Sequence, residues 1–169
     1  FRSTDNGTNF TQITQGTGSL TGVPAGRGAD IVVDPANSQR VYAAIYDSAL
    51  AGGVSGVFKS TDFGATWARV SDAAVENQII IGTDNMKLAA GPNQSVFVGI
   101  VTNGVLSGVF NSQNGGTTWT LMDLPTTTET LVGGGTAQVG IHPGQQGSIH
   151  FALCADRANA NLEIGRAHV

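Results

Sequence analysis

The sequence has little charge, few aromatic residues and a single cysteine. Charged residues make up 12% of the chain and aromatic residues 7%. The lone thiol, Cys154, excludes an intrachain disulfide. Basic residues number 8 against 12 acidic ones, which disfavours a nucleic-acid interface because phosphates require a basic surface. No apolar run reaches the ~18–20 residues that a membrane-spanning helix needs.

A sustained helical period is also missing. The nearest helix candidate covers residues 71–81, but its run of three isoleucines at 79–81 favours β-structure. The chain instead has 24 glycines and short runs of β-branched and aromatic residues, bounded by Gly, Pro, Asn and Ser. This pattern predicts an all-β fold.

One eight-residue motif occurs three times, at residues 3–10, 60–67 and 112–119. It reads Ser, any residue, Asp or Asn, any residue, Gly, any two residues, then an aromatic residue. Its serines are separated by 57 and then 52 positions, and Gly-Val-Phe precedes both the second and the third copy. An internal repeat at this period is typical of stacked β-units.

Two strand-like runs around a Pro-containing turn recur in each unit, so a unit predicts four short strands. Four strands per repeat of ~50 residues are typical of propeller blades. We therefore predict a β-propeller segment of about three four-stranded antiparallel blades. Residues 1–14 are expected to end one blade, 28–71 and 84–123 to form full blades, and 136–155 to begin the next.

The repeated motif predicts a stapled turn between the third and fourth strands of a unit. The Asp or Asn accepts backbone N–H groups, the Ser closes the turn, the Gly takes a positive φ, and the aromatic ring is buried. A cation site is the alternative, but Ca²⁺ requires ~6–8 oxygen ligands and each turn offers one carboxylate, so no metal is predicted. The positions are Ser3, Asp5, Gly7, Phe10, Ser60, Asp62, Gly64, Trp67, Ser112, Asn114, Gly116 and Trp119.

This motif resembles the Asp-box, or bacterial neuraminidase repeat, of sialidase-like β-propellers. With its flanking strands the unit is most similar to the propellers of xyloglucanase-type glycoside hydrolases, and it also resembles sortilin-type and photosystem-assembly propellers. The resemblance covers residues 1 to about 153. It implies a secreted protein, extracellular or periplasmic, that acts on or binds a polysaccharide or other glycan, with no cofactor.

The resemblance also implies that the chain is a piece of a longer propeller, because closure requires ~4–8 blades. Residues 1–162 are then a partial propeller, and its expected partners are the missing blades of the parent chain. Residues 163–169 match one reading frame of a sequencing-library adapter and are expected to be an artefact.

The resemblance implies that ligand residues lie in the loops between the second and third strands and between successive units, as in propellers of this type. Glycoside hydrolysis usually requires two carboxylates, ~5–5.5 Å or ~6.5–9.5 Å apart. No pair is fixed by the sequence, so the catalytic residues stay open. The candidate residues of the ligand face are Arg27, Asp30, Asp47, Asp84 and Glu129.

Two functions remain open at this point. A carbohydrate-active parent is favoured by the resemblance, whereas a non-catalytic binding scaffold is favoured by the lack of aromatic residues in the candidate loops. A sialidase site is disfavoured because Arg27 is the lone arginine in those loops. His142 and His150 flank a turn without a third metal ligand nearby and are interpreted as structural.

Overall fold

The computed structural model describes residues 1–15, 23–24, 26–46, 55–141, 145–161 and 163–166. It is mostly β, with 48% of residues in strands and 8% in helices, and its larger sheets are antiparallel. The predicted all-β class is therefore confirmed. In this part of the chain no helix is long and apolar enough to cross a bilayer.

The first four-stranded sheet lies between residues 27 and 69. Its strands are β3 (Arg27–Asp34), β4 (Asn37–Tyr46), β5 (Gly56–Ser60) and β6 (Ala68–Arg69), hydrogen-bonded in that order. The β3–β4 turn forms at Pro35 because Asp34 Oδ1 accepts the backbone N–H groups of Ala36 and Asn37, at 2.8 and 3.2 Å. Arg40 pairs with the other carboxylate oxygen of Asp34.

The second four-stranded sheet repeats this order between residues 83 and 121. Its strands are β7 (Thr83–Ala90), β8 (Val96–Thr102), β9 (Val105–Ser112) and β10 (Thr120–Leu121). A short 3-10 turn at Pro92–Gln94 joins β7 to β8. In each sheet the strand that comes first in the chain, β3 or β7, is an edge strand.

The two sheets pack face to face through one apolar cluster. Alternate residues of β4 point into it, because side chains alternate between the two faces of a strand. They meet residues of β7, β8 and β9 from the second sheet. Buried members include Tyr42, Ala44 and Tyr46 from the first sheet and Met86, Leu88, Val98, Ile100 and Phe110 from the second.

A short helix lies within residues 71–81, a segment where we expected β-structure. Helix α1 covers Ala73–Glu76, and Asp72 caps it by accepting the backbone N–H groups of Ala74 and Val75. Residues 79–81 form no strand. The β-structure expected at the isoleucine run is therefore absent, and the N-cap aspartate accounts for the short helix ahead of it.

The terminal parts contain short strand pairs. Near the start, an isolated bridge joins Arg2 to Thr11, and β1 (Thr14–Gln15) pairs in parallel with β2 (Val23–Pro24). Near the end, β11 (Thr126–Thr130) pairs with β12 (Thr136–Gly140), and β13 (Ala152–Ala155) pairs with β14 (Glu163–Arg166). The residues expected to be adapter-derived at 163–166 thus form a strand in this structure.

Helix α2 (Gly147–His150) replaces the start of a strand expected at 148–153. Asn85 holds it against β7, since its Nδ2 donates to the carbonyls of Gly147 and Ser148 at 3.1 and 3.3 Å. Phe151, Leu153 and Ala155 then cover the outer face of the second sheet. Tertiary contacts from a distant strand therefore override the local β-propensity.

Candidate functional site

The second repeated turn is closed by a compact set of hydrogen bonds. Asp62 Oδ1 accepts the hydroxyl of Ser60 at 2.7 Å and the backbone N–H of Thr66 at 2.8 Å. Asp62 Oδ2 accepts the Thr66 hydroxyl at 2.6 Å, while Ser60 Oγ accepts the N–H of Gly64 at 2.7 Å. Gly64 has a φ of 80°, a region that favours glycine.

These hydrogen bonds also lower the pKa of the aspartate in the turn. The Thr66 hydroxyl, then the Thr66 backbone N–H and the Ser60 hydroxyl, hold the pKa of Asp62 at about 2. Hydrogen bonds from Asn9 and Ser3 lower the pKa of Asp5 in the same way. In both turns both oxygens of the carboxylate accept hydrogen bonds from residues of the turn itself.

The third turn makes the same bonds with an amide. Asn114 Oδ1 accepts the Ser112 hydroxyl at 2.9 Å and the backbone N–H of Thr118 at 3.0 Å. Asn114 Nδ2 donates to the Thr118 hydroxyl at 2.9 Å, so the threonine accepts here where Thr66 donates. Ser112 Oγ accepts the Gly116 N–H at 2.8 Å.

The aromatic residues of the turns divide into two environments. Trp67 is 4% exposed and Trp119 7%, whereas Phe10 is 64% exposed. Trp119 Nε1 donates to the carbonyls of Val70 and Gly116, at 2.8 and 3.1 Å, and its ring joins the cluster between the sheets. Phe10 lies outside all the hydrophobic clusters of the described residues, so the expectation that the aromatic ring is buried is wrong for the first turn.

Asp30, a candidate residue of the ligand face, joins the two sheets. Its Oδ2 accepts the backbone N–H of Leu88 at 3.0 Å, and its Oδ1 accepts the N–H of Ile31 at 3.0 Å. Leu88 lies on β7, which is an edge strand with no strand partner on its other side. The carboxylate therefore satisfies a donor at the seam between the sheets.

Asp84 is also held by backbone groups. Its Oδ2 accepts the N–H of Gly104 at 2.8 Å, and its main-chain carbonyl accepts the hydroxyl of Tyr46 at 2.8 Å. The other carboxylate oxygen is buried and has no hydrogen-bond partner among the described residues. Asp84 thus orders the β8–β9 turn at the end of the sheet where β7 begins.

The remaining candidates lie on separate elements. Arg27 is exposed at the first position of β3, and Glu129 is half-buried in β11, opposite Ala137. Asp47 and His142 lie outside the described residues. Across the described ranges no three His, Cys, Asp or Glu side chains group in a way that could hold a metal ion.

A groove of about 420 Å³ runs along the outer face of the first sheet. Its walls are mostly apolar, with Asp30 as the acidic residue among them. The aromatic ring of Phe1 is 79% exposed at this groove. The groove is lined by Phe1, Ile13, Val23, Gly28, Ala29, Asp30, Ile31, Ala43, Ile45 and Trp67.

Asp72 is an organising residue that the sequence did not single out. Besides capping α1 with Oδ1, it accepts the backbone N–H of Trp119 on Oδ2 at 3.1 Å. The signal was present, because Asp ahead of an Ala-Ala-Val-Glu run is an N-cap pattern. The contact with Trp119 spans 47 positions and leaves no sequence signal.

Comparison of the chain with models of known protein families gives no match. Comparison with curated proteins gives no match either.

Proposed function

We propose that the chain is a segment of an Asp-box β-propeller and that this segment is a structural scaffold without a catalytic site of its own. The observation that carries the scaffold role is the use of its acidic side chains. Asp30 and Asp72 hold backbone N–H groups of the second sheet, and Asp84 holds the β8–β9 turn. Carboxylates bound in this way are not free to act as a general acid or a nucleophile.

The propeller assignment is supported by the repeated architecture. Both four-stranded sheets follow the same order, and each has its repeated turn between its third and fourth strands. They pack face to face with their first strands adjacent, since Asp30 of β3 reaches Leu88 of β7. Stacked four-stranded antiparallel units of this kind are the building pattern of propellers.

The outer groove favours a second candidate function. An exposed aromatic ring and a carboxylate beside an apolar wall suit the stacking and hydrogen bonding that sugars require, and Phe1 and Asp30 supply them. In this alternative the parent is a secreted glycoside hydrolase or a relative, xyloglucanase- or sialidase-like. Its ligand would be a polysaccharide or another glycan.

Incubation of the full chain with xyloglucan, a mixed β-glucan and a sialoside separates the two functions. The scaffold role predicts no release of reducing sugar or sialic acid and no retardation in a glycan-containing gel. Retardation that Phe1→Ala abolishes would favour glycan binding, and turnover would contradict the scaffold role. Leu121→Ala, an exposed residue outside the groove, is the matched control.

A further inference from the structure

A cavity of about 350 Å³ lies on the outer face of the second sheet, beside the end of β10. Its floor is apolar and buried, since Leu106 and Val109 of β9 are 6% and 2% exposed and Phe151 is 5% exposed. Asp123 is the one charged residue among the described residues that line this cavity, which we call the Val109 pocket. Its size and apolar walls suit a small organic ligand.

The internal repeat shows how the first unit closes the corresponding space. Val109 corresponds to Val57, because each is the valine of a Gly-Val-Phe run. The carbonyl of Val57 accepts the N–H of Val70, and that of Val109 accepts the N–H of Met122, both at 2.8 Å. In the first unit helix α1 follows, and its Val75 is 0% exposed within the same apolar cluster as Val57. The first unit therefore fills this space with a side chain of its own.

The second unit has no counterpart of helix α1. Asp72, which caps that helix, corresponds to Leu124, and a leucine has no side-chain oxygen to accept the N–H groups of a first helical turn. Residues 122–125 form neither helix nor strand, and β11 begins at Thr126. The space above Val109 therefore remains a cavity.

Asp123 at the rim of the Val109 pocket differs from its counterpart in the first unit, Ser71. The Ser71 hydroxyl accepts the N–H of Val57 at 3.2 Å and donates to Glu76 at 3.1 Å. The carboxylate of Asp123 is exposed and forms no hydrogen bond or ion pair with the described residues. An unpaired carboxylate beside an apolar cavity is complementary to a ligand that joins a cation to an apolar body.

We propose that the Val109 pocket binds a small amine with an aromatic body, an arylalkylammonium ion. The ring of the ligand packs on Leu106, Val109 and Phe151, where an aromatic partner adds ring contacts to the burial of apolar surface. It takes the place that Val75 has in the first unit, while the ammonium group pairs with Asp123 at the rim. The site is independent of the proposed scaffold role, because it uses none of the carboxylates that hold backbone groups of the two sheets.

The probe is 2-phenylethylammonium, titrated into the full chain beside its uncharged analogue, 2-phenylethanol. We expect the amine to cause saturable shifts of the methyl resonances of Leu106 and Val109. The alcohol should bind at the same place about fivefold more weakly, because it cannot form the exposed ion pair. Added salt should weaken binding of the amine and leave binding of the alcohol unchanged.

Two variants separate the charge from the apolar wall. Asp123→Asn should weaken binding of the amine about fivefold and leave the alcohol unchanged, with Glu129→Gln on β11 as the matched control. Leu124→Ala removes part of the wall and should weaken both ligands about twofold or more. Leu121→Ala, at an exposed leucine outside the pocket, should change neither. Asp123 and Leu124 are both exposed, so the pocket variants should fold.

The absence of a saturable shift with the amine would overturn the proposal. Equal affinity for the amine and the alcohol would do the same, because the carboxylate would then have no part in binding. So would amine binding that both Asp123→Asn and Leu124→Ala leave unchanged, since the ligand would then lie elsewhere on the chain.

Discussion

Asp72 connects helix α1 to the third repeated turn, because its two carboxylate oxygens serve different elements. Oδ1 accepts the N–H groups of Ala74 and Val75, and Oδ2 accepts the N–H of Trp119 at 3.1 Å. Trp119 in turn donates its indole N–H to the carbonyl of Val70, two residues before the aspartate. The start of the connection between the sheets, at Val70 and Asp72, is therefore held to Trp119 by two hydrogen bonds.

Substitutions at Asp72 should separate these two roles. We expect Asp72→Ala to lower the free energy of unfolding by about 2 kcal/mol, since both the helix cap and the Trp119 contact are lost. Asp72→Ser keeps a capping oxygen but has no second oxygen for Trp119, so it should cost about half as much. Urea denaturation measures both, and equal losses for Ala and Ser would contradict the dual role.

The aromatic residues of the turns should differ in their contributions to stability. Trp67→Ala removes a buried ring and should cost ~3–5 kcal/mol. Phe10→Ala changes a ring that is mostly in solvent and should stay within about 0.5 kcal/mol. Urea denaturation of both variants measures the change in the free energy of unfolding. A loss for Phe10→Ala as large as that for Trp67→Ala would show that the ring of the first turn is packed like that of the second.

The repeated turns were the part of the site that the sequence predicted best. Their bonds join residues at most four positions apart, so Ser60, Asp62 and Gly64 define the turn locally. The role of Asp30 could not be predicted, because its partner Leu88 lies 58 positions away on another sheet. The exposure of Phe10 and the helix at Gly147–His150 also depend on distant neighbours, whereas the cap at Asp72 was readable and was missed.

Acid should weaken the second turn but not the third. The pKa of Asp62 is about 2 in the folded chain against an ordinary value of 3.8. A depressed pKa means that the carboxylate stabilises the fold fully above its unfolded pKa, and this stabilisation is lost as pH falls toward the folded pKa. The window is therefore from about pH 4 down to about pH 2.

A carboxyl-carbon NMR titration of Asp62 measures this pKa directly. The amide resonance of Thr66 should move in the same window, and Asp62→Asn should remove that movement. The Thr118 amide is an internal control, because Asn114 does not titrate. A midpoint for Asp62 near its ordinary value would contradict the role of the Thr66 and Ser60 bonds.

Phe63 is a site where substitution should stabilise the protein. It has a φ of 58°, in a region unfavourable for a bulky side chain, and it is 53% exposed. The other two turns have Asn6 and Gly115 at this position, also with positive φ. We expect Phe63→Asn to raise the free energy of unfolding by ~0.5–1 kcal/mol, because Asn adopts this conformation more readily.

Thermal or urea denaturation tests Phe63→Asn, with Thr61→Asn as a control at an exposed neighbour that lacks a positive φ. A destabilised Phe63→Asn protein would show that the ring makes contacts that compensate for its backbone conformation.

Thr66 and Thr118 have a consequence for how such a protein can evolve. A hydroxyl group both donates and accepts, so each threonine fits a carboxylate or an amide at the position four residues before it. Exchange between Asp and Asn is a small genetic step. The turn keeps its hydrogen bond after this exchange because the threonine hydroxyl rotates from donor to acceptor. Lineages of such repeats are therefore free to vary their net charge, and with it their solubility, turn by turn without rebuilding the framework.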